Sequence, residues 1–176
     1  MKAHATALVD PAADIADDVE IGPFCVIGAG VRILSGCRLG PRVWVAGPAA
    51  IGRDNLLHAN VSMDRSAELG DGNVLRESTH VASGAKIGSR NRLGTWVTIG
   101  ASATVADDTH LGGFVVVADN CRIESRTRIE GQTVLEPGMK VGAGARIRSQ
   151  VPVIGDVDPS ALLDGNPAEA QAGGAA

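Results

Sequence analysis

Every sixth residue from Val9 onward is apolar. The series runs Val9, Ile15, Ile21, Ile27, Ile33, Leu39 and so on to Ile147 and Val153, and all 25 of its positions are aliphatic or Met. A second column sits two residues earlier and holds small or compact side chains, among them Cys25, Val31, Cys37, Val43, Ala49, Asn55, Ala67, Thr79, Ala85 and Ala103. Glycine recurs one residue after the aliphatic, at Gly22, Gly28, Gly40, Gly52, Gly70, Gly88, Gly94, Gly100, Gly112 and Gly142. No helical period fits this spacing, so the pattern predicts short strands separated by corners.

A longer period of 18 lies over the first. Asn55, Asn73 and Asn91 stand at equivalent places in Ile51-Gly52-Arg53-Asp54-Asn55, Leu69-Gly70-Asp71-Gly72-Asn73 and Ile87-Gly88-Ser89-Arg90-Asn91. Three hexads therefore make one coil of three strands and three corners. Coils stacked as parallel strands rise by about 4.8 Å each. The fold class expected is all-β: a single parallel β-helix of about eight coils, with Val81, Ile99 and Val117 inward and one above another. Residues 1–155 form the helix domain in this reading. Residues 156–176 form a turn-rich cap and tail, on the strength of Asp156-Val157-Asp158-Pro159 and Gly165-Asn166-Pro167-Ala168. The tail from Ala168 reads as a frayed helix or a disordered end.

Composition narrows the function classes. The four aromatic residues are Phe24, Trp44, Trp96 and Phe114, too few for a base-stacking nucleic-acid module, and the net charge of −4 argues the same way. Cys25, Cys37 and Cys121 show no metal-ligand spacing and read as reduced, buried thiols. No apolar run is long enough to span a bilayer and the N-terminus does not read as a signal peptide, so the expectation is a cytoplasmic chain. No cofactor is expected. Exposed aliphatics such as Val26, Val97 and Val116 suggest faces covered by self-association into a trimer.

Hexads of this type resemble those of the hexapeptide-repeat acyltransferases. The similarity is greatest to the bacterial UDP-N-acetylglucosamine O-acyltransferases of lipid A biosynthesis. It rests on His4-Ala5-Thr6-Ala7-Leu8-Val9, Ile21-Gly22-Pro23-Phe24-Cys25-Val26-Ile27-Gly28, Ile51-Gly52-Arg53-Asp54-Asn55 and Arg76-Glu77-Ser78. It covers roughly residues 4 to 135. The resemblance implies a left-handed coil, a homotrimer with sites between subunits, and acyl transfer from a thioester to a sugar hydroxyl. It also implies a histidine general base, suited to the work by a pKa near neutrality. The family's later helical domain and its substrate-covering insert are not expected here.

The site departs from the family's pattern. The base position falls on Ala101, its auxiliary histidine on Thr98, a Gly-His pair on Asp119 and Asn120, and a His-Gln pair on Glu136 and Pro137. His80 is 18 residues before Thr98 and is the candidate replacement base. Ser83, Thr98, Ser102, Asp119 and Asn120 are the candidate substrate contacts around it. His58 reads as structural, and His4 carries no assignment. A zinc site is not expected, since His58, His80 and His110 fall in three different columns.

Arg92, His110, Arg128 and Arg146 form a ladder at intervals of 18, a candidate surface for an acidic acyl carrier protein or acyl thioester. Glu124 and Glu130 are possible neutralising neighbours. Acids predominate in the first twenty residues and bases between 122 and 148. Two functions from different classes follow. One is an acyltransferase-like enzyme with a rearranged or degenerate site. The alternative is a non-catalytic trimeric binding or assembly protein.

Overall fold

The structure is a computed structural model that describes residues 1–151, 153 and 155–165. Its strands form three parallel sheets that wrap a narrow prism of about nine turns. Sheet I has ten strands, from Lys2–Ala3 to Leu162–Leu163, and sheets II and III have eight each, Leu8–Val9 to Val134–Leu135 and Asp14–Ile15 to Lys140–Val141. From Lys2 to Ile147 each strand pairs with the one 18 residues on, as in His80↔Thr98 and Val81↔Ile99. The pairing arises because one coil closes after three hexads and its carbonyls meet the amides of the next. Leu8 N–H donates to Cys25 O at 2.8 Å and Trp44 N–H to Val61 O at 2.9 Å.

The inward ladder is as the six-residue period requires. Val81, Ile99 and Val117 are fully buried in register. The second column also points inward, at the corners, and this corrects one expectation. Val97 is buried and not on a face, because it stands two residues before Ile99 in the compact column. Val26 and Val116 do reach the surface.

The buried asparagines are held by their neighbours along the axis. Asn55 Oδ1 accepts from the Asn73 backbone N–H at 2.8 Å, Asn73 Oδ1 from that of Asn91 at 2.8 Å, and Asn91 Oδ1 from that of Thr109 at 2.7 Å. Each side chain thus satisfies an amide that the turn would otherwise leave unpaired in the interior.

The coil count exceeds the expected eight because Lys2–Ala3 joins sheet I before the hexads begin and Leu162–Leu163 joins it after they end. The spacing changes on the way. Leu135 bridges Val153, but Val141 bridges Val157 and Ile147 pairs with Leu163, two residues sooner than the repeat would give. The tail from Ala168 lies outside the described residues.

Candidate functional site

The outward residues of sheet II read, from one end of the prism to the other, Leu8, Val26, Trp44, Ser62, His80, Thr98, Val116 and Val134. Three polar groups therefore interrupt an otherwise apolar strip near its middle. Alternation along each two-residue strand puts these side chains outward while Val45, Met63, Val81 and Ile99 fill the core.

His80 is the centre of that patch. Its Nδ1 lies 2.8 Å from Ser62 Oγ, one rung toward the N-terminus. Its Nε2 lies 3.8 Å from Asp64 Oδ2, an ion-pair separation longer than a hydrogen bond. Asp64 directly follows the Ser62–Met63 strand, so Ser62 and Asp64 point to the same side two residues apart. The side chains of His80 and Asp64 are 39% and 31% exposed, which leaves them reachable yet partly shielded from water.

The other sequence candidates occupy the corner between sheets II and III. Asp119 Oδ1 accepts from the Ala101 backbone N–H at 2.7 Å, and the Asn120 N–H donates to Ala101 O at 2.9 Å. The Ser102 N–H donates to Ser83 O at 3.0 Å. Ser83, Ala101, Ser102, Asp119 and Asn120 thus stack at one edge, as their spacing implied. Thr98 is the register neighbour of His80. Among the described residues no side-chain hydrogen bond joins His80 to any of them. Its partners are Ser62 and Asp64, which the sequence reading did not single out. Ser62 was accessible to the same arithmetic, since it precedes His80 by one period.

The cationic ladder is in register on sheet I, Arg92 beside His110, His110 beside Arg128 and Arg128 beside Arg146. Arg128 Nε approaches Glu130 at 3.8 Å, whereas Glu124 pairs with Lys140 at 3.0 Å. Among the described residues Arg92 and Arg146 have no ion pair. Burial, then the Arg128 and Arg92 guanidiniums, hold His110 below the usual imidazole pKa.

His58 and the thiols have local partners. His58 Nδ1 is 3.1 Å from Glu77 Oε1, and Thr95 Oγ donates to Glu77 Oε2 at 3.2 Å. Cys25, Cys37 and Cys121 donate to the carbonyls of Gly40, Gly52 and Glu136 at 2.9–3.0 Å, and burial pushes each thiol pKa up. Such thiols are poor nucleophiles. Among the described residues no three His, Cys, Asp or Glu converge as a metal cluster would require.

The periodic corners and the ladder of sheets agree with an independent finding. A family model for the bacterial transferase hexapeptide (six repeats) matches residues 12–47. That match lies within the repeat region and covers about a fifth of the chain. The chain is 47% identical over 55 residues to an acyl-[acyl-carrier-protein]–UDP-N-acetylglucosamine O-acyltransferase of Saccharophagus degradans, a match covering 31% of this chain and 21% of the relative. It is 43% identical over 51 residues to the enzyme so named in Thermodesulfovibrio yellowstonii, covering 29% and 20%. The matches span about a fifth of those relatives' length.

The fold likeness is broader. A crystal structure of UDP-N-acetylglucosamine acyltransferase superposes with a TM-score of 0.89 at 24% identity, over 95% of this chain and 72% of that one. The Francisella novicida acyltransferase gives 0.65 at 22% identity, over 90% and 65%. Likeness at these identities establishes the fold alone. A coil of opposite hand would not superpose in this way, so the chain shares the hand of that solved neighbour.

Proposed function

We propose that this chain is an acyltransferase that moves an acyl group from a thioester carrier to a hydroxyl of a sugar-nucleotide-type acceptor, acting in the cytoplasm as a homotrimer. The observation that carries the reading is the outward column of sheet II. It sets Ser62, His80 and Thr98 between Leu8, Val26 and Trp44 on one side and Val116 and Val134 on the other. An acyl chain needs an apolar track, and its carbonyl needs polar groups at one point on that track. Similarity over 55 residues to a relative named as an acyl-[acyl-carrier-protein]–UDP-N-acetylglucosamine O-acyltransferase supports the same reading.

His80 is the proposed base. Ser83, Thr98, Ser102, Asp119 and Asn120 are the proposed acceptor contacts along the edge beside it. Arg92, His110, Arg128 and Arg146 are the proposed landing surface for an acidic carrier protein, with opposite charge steering the encounter. Residues 1–155 serve as the β-helix and 156–176 as its cap and tail. Self-association is supported by exposed apolar side chains on sheet II and on the corner before it, where Phe24, Trp96 and Phe114 are more than half exposed.

One observation favours the non-catalytic alternative: Ala101 offers no proton acceptor at the family's base position. The test is a transfer assay from acyl carrier protein thioesters to UDP-N-acetylglucosamine and other sugar nucleotides. Wild-type turnover that falls 10²–10⁴-fold in His80→Ala is expected. Absence of transfer, with saturable ligand binding retained, would establish the binding protein instead.

A further inference from the structure

We propose that Ser62, His80 and Asp64 form a nucleophile–base–carboxylate unit that carries the acyl group covalently on Ser62. This rests on the acyltransferase reading above and departs from direct attack by the acceptor. The geometry has the three parts such a unit needs. The Ser62 hydroxyl lies 2.8 Å from His80 Nδ1, within the range for proton abstraction. The Asp64 carboxylate faces the opposite ring nitrogen at 3.8 Å. A carboxylate there favours the tautomer with hydrogen on Nε2, so Nδ1 keeps its lone pair toward Ser62. His80 is the catalytic base in this scheme, Ser62 the nucleophile and Asp64 a positioning residue.

The surroundings match an acyl thioester. Trp44 lies one rung from Ser62, Val26 two and Leu8 three, so an exposed apolar track extends about 14 Å along the prism from the hydroxyl. The side chains of this track are at least a third exposed and have no inward role to explain them. The apolar track ends at the nucleophile, where a carbonyl carbon would lie. A structural hydrogen bond alone would account for Ser62 and His80. It would not account for a carboxylate on the far side of the ring or for the apolar track that ends there.

The chemistry balances without another reactant. Ser62 Oγ attacks the thioester carbonyl carbon as its proton passes to His80 Nδ1. The C–S bond breaks, and the departing sulfur takes that proton and leaves as a thiol. The acceptor hydroxyl then gives its proton to Nδ1 and attacks the Ser62 ester. Ser62 Oγ leaves and recovers the proton. The family's base position at Ala101 has no part in either step.

The experiment is intact-mass and peptide-mass analysis of the full chain after mixing with a decanoyl-pantetheine thioester, with and without sugar nucleotide. One decanoyl group on the peptide holding Ser62 is expected within the first turnover, absent in Ser62→Ala and slowed at least 100-fold in His80→Ala. Ser62→Cys should carry the group as a thioester, and His58→Ala should acylate like the wild type. For Asp64→Asn, ring ¹⁵N shifts should show the His80 proton redistributed between the two nitrogens, a change that mere loosening of the coil would not produce. Acylation retained in Ser62→Ala overturns the proposal. Transfer to acceptor that survives Ser62→Ala with no adduct also overturns it, while the acyltransferase reading stands. Neither adduct nor transfer removes both. An adduct that only water discharges upholds the covalent unit and removes the sugar-nucleotide acceptor.

Discussion

Asp119 Oδ1 accepts the backbone N–H of Ala101 across one coil at 2.7 Å. The same arrangement holds Arg53 to Asp71 and Ser89 to Asp107 at the corner between sheets III and I. At these corners a carboxylate replaces a ladder bond that the turn cannot make. Asp119→Ala should cost about 1 kcal/mol in denaturant unfolding with the m-value unchanged, and Asp119→Asn should cost less because an acceptor oxygen remains. A loss of acceptor binding with no loss of stability would show instead that Asp119 serves the ligand. Ala101 sits at a half-buried corner, so Ala101→His should fold normally.

Ile99 is fully buried between Val81 and Val117. Ile99→Asp should fail to fold, since an unpaired carboxylate in this interior costs several kcal/mol. Ile99→Val should cost only about 0.5–1.5 kcal/mol. Soluble expression and a cooperative thermal transition report both. A well-folded Ile99→Asp chain would contradict the inward assignment.

Gly100 shows why the glycine column exists. A Cβ built there would come within 2.5 Å of Ala118 C and of Asp119 N in the next coil. These are backbone atoms that can yield only if two coils separate. Gly100→Ala should therefore destabilise by about 1–3 kcal/mol, as overpacking does. Calorimetry on the variant checks it. Gly138 has no atom within 4 Å of such a Cβ, but its φ is 80°, so Gly138→Ala tests conformational strain alone.

The architecture was legible in the sequence because one side chain per hexad must be inward, and a period of six admits no alternative burial. Ile15 through Val153 could be placed without coordinates for that reason. Val97 was misplaced because a valine in the compact column looks like any exposed valine until the corner geometry is known. The last turn was not legible. The step from Ile147 to Leu163 is two residues shorter than a coil, and the turn residues near Asp156 absorb the difference. At the candidate site the period placed His80 beside Thr98, and Ser62 stood one period before it. The resemblance pointed instead to the corner of Ala101. Asp64 could not be found by period at all. Its approach to His80 is diagonal, set by side-chain direction at the end of a strand, and only coordinates carry that.

Phe24, Trp96 and Phe114 occupy left-handed backbone positions, with φ of 58°, 61° and 60°. Glycine or asparagine would be easier there, and each aromatic costs about 1 kcal/mol. Three of the chain's four aromatics are thus held outward on one edge at a cost in stability. Light scattering should give a mass near three times 17.9 kDa. Trp96→Asp with Phe114→Asp should shift it toward the monomer while the strand signature in circular dichroism persists. A wild-type monomer at micromolar concentration would leave the aromatic edge free for some other partner and remove any site between subunits.

His110 stands between Arg92 and Arg128 in the ladder of sheet I. Its pKa is depressed first by burial and then by Arg128 and Arg92, against a smaller opposing pull from Glu130. A histidine whose folded pKa lies below the unfolded value of about 6.5 favours folding in its neutral form. Its contribution is complete above that value, declines as pH falls toward the folded pKa, and is flat below it. The ring is partly open to water, which screens the guanidinium contribution. The lowered carboxylates of Asp18, Asp108, Glu77 and Glu124 act in a separate window, below about pH 4.5, where protonation removes the hydrogen bonds and, for the last three, the ion pairs that hold them ionised. Denaturant midpoints measured from pH 7.5 to 5 should therefore fall in the wild type and stay nearer level in His110→Gln. An anionic ligand seated on Arg92, Arg128 and Arg146 should reverse part of the fall, because it neutralises the charges that disfavour imidazolium. Equal slopes in the two proteins would show that the ladder does not govern His110.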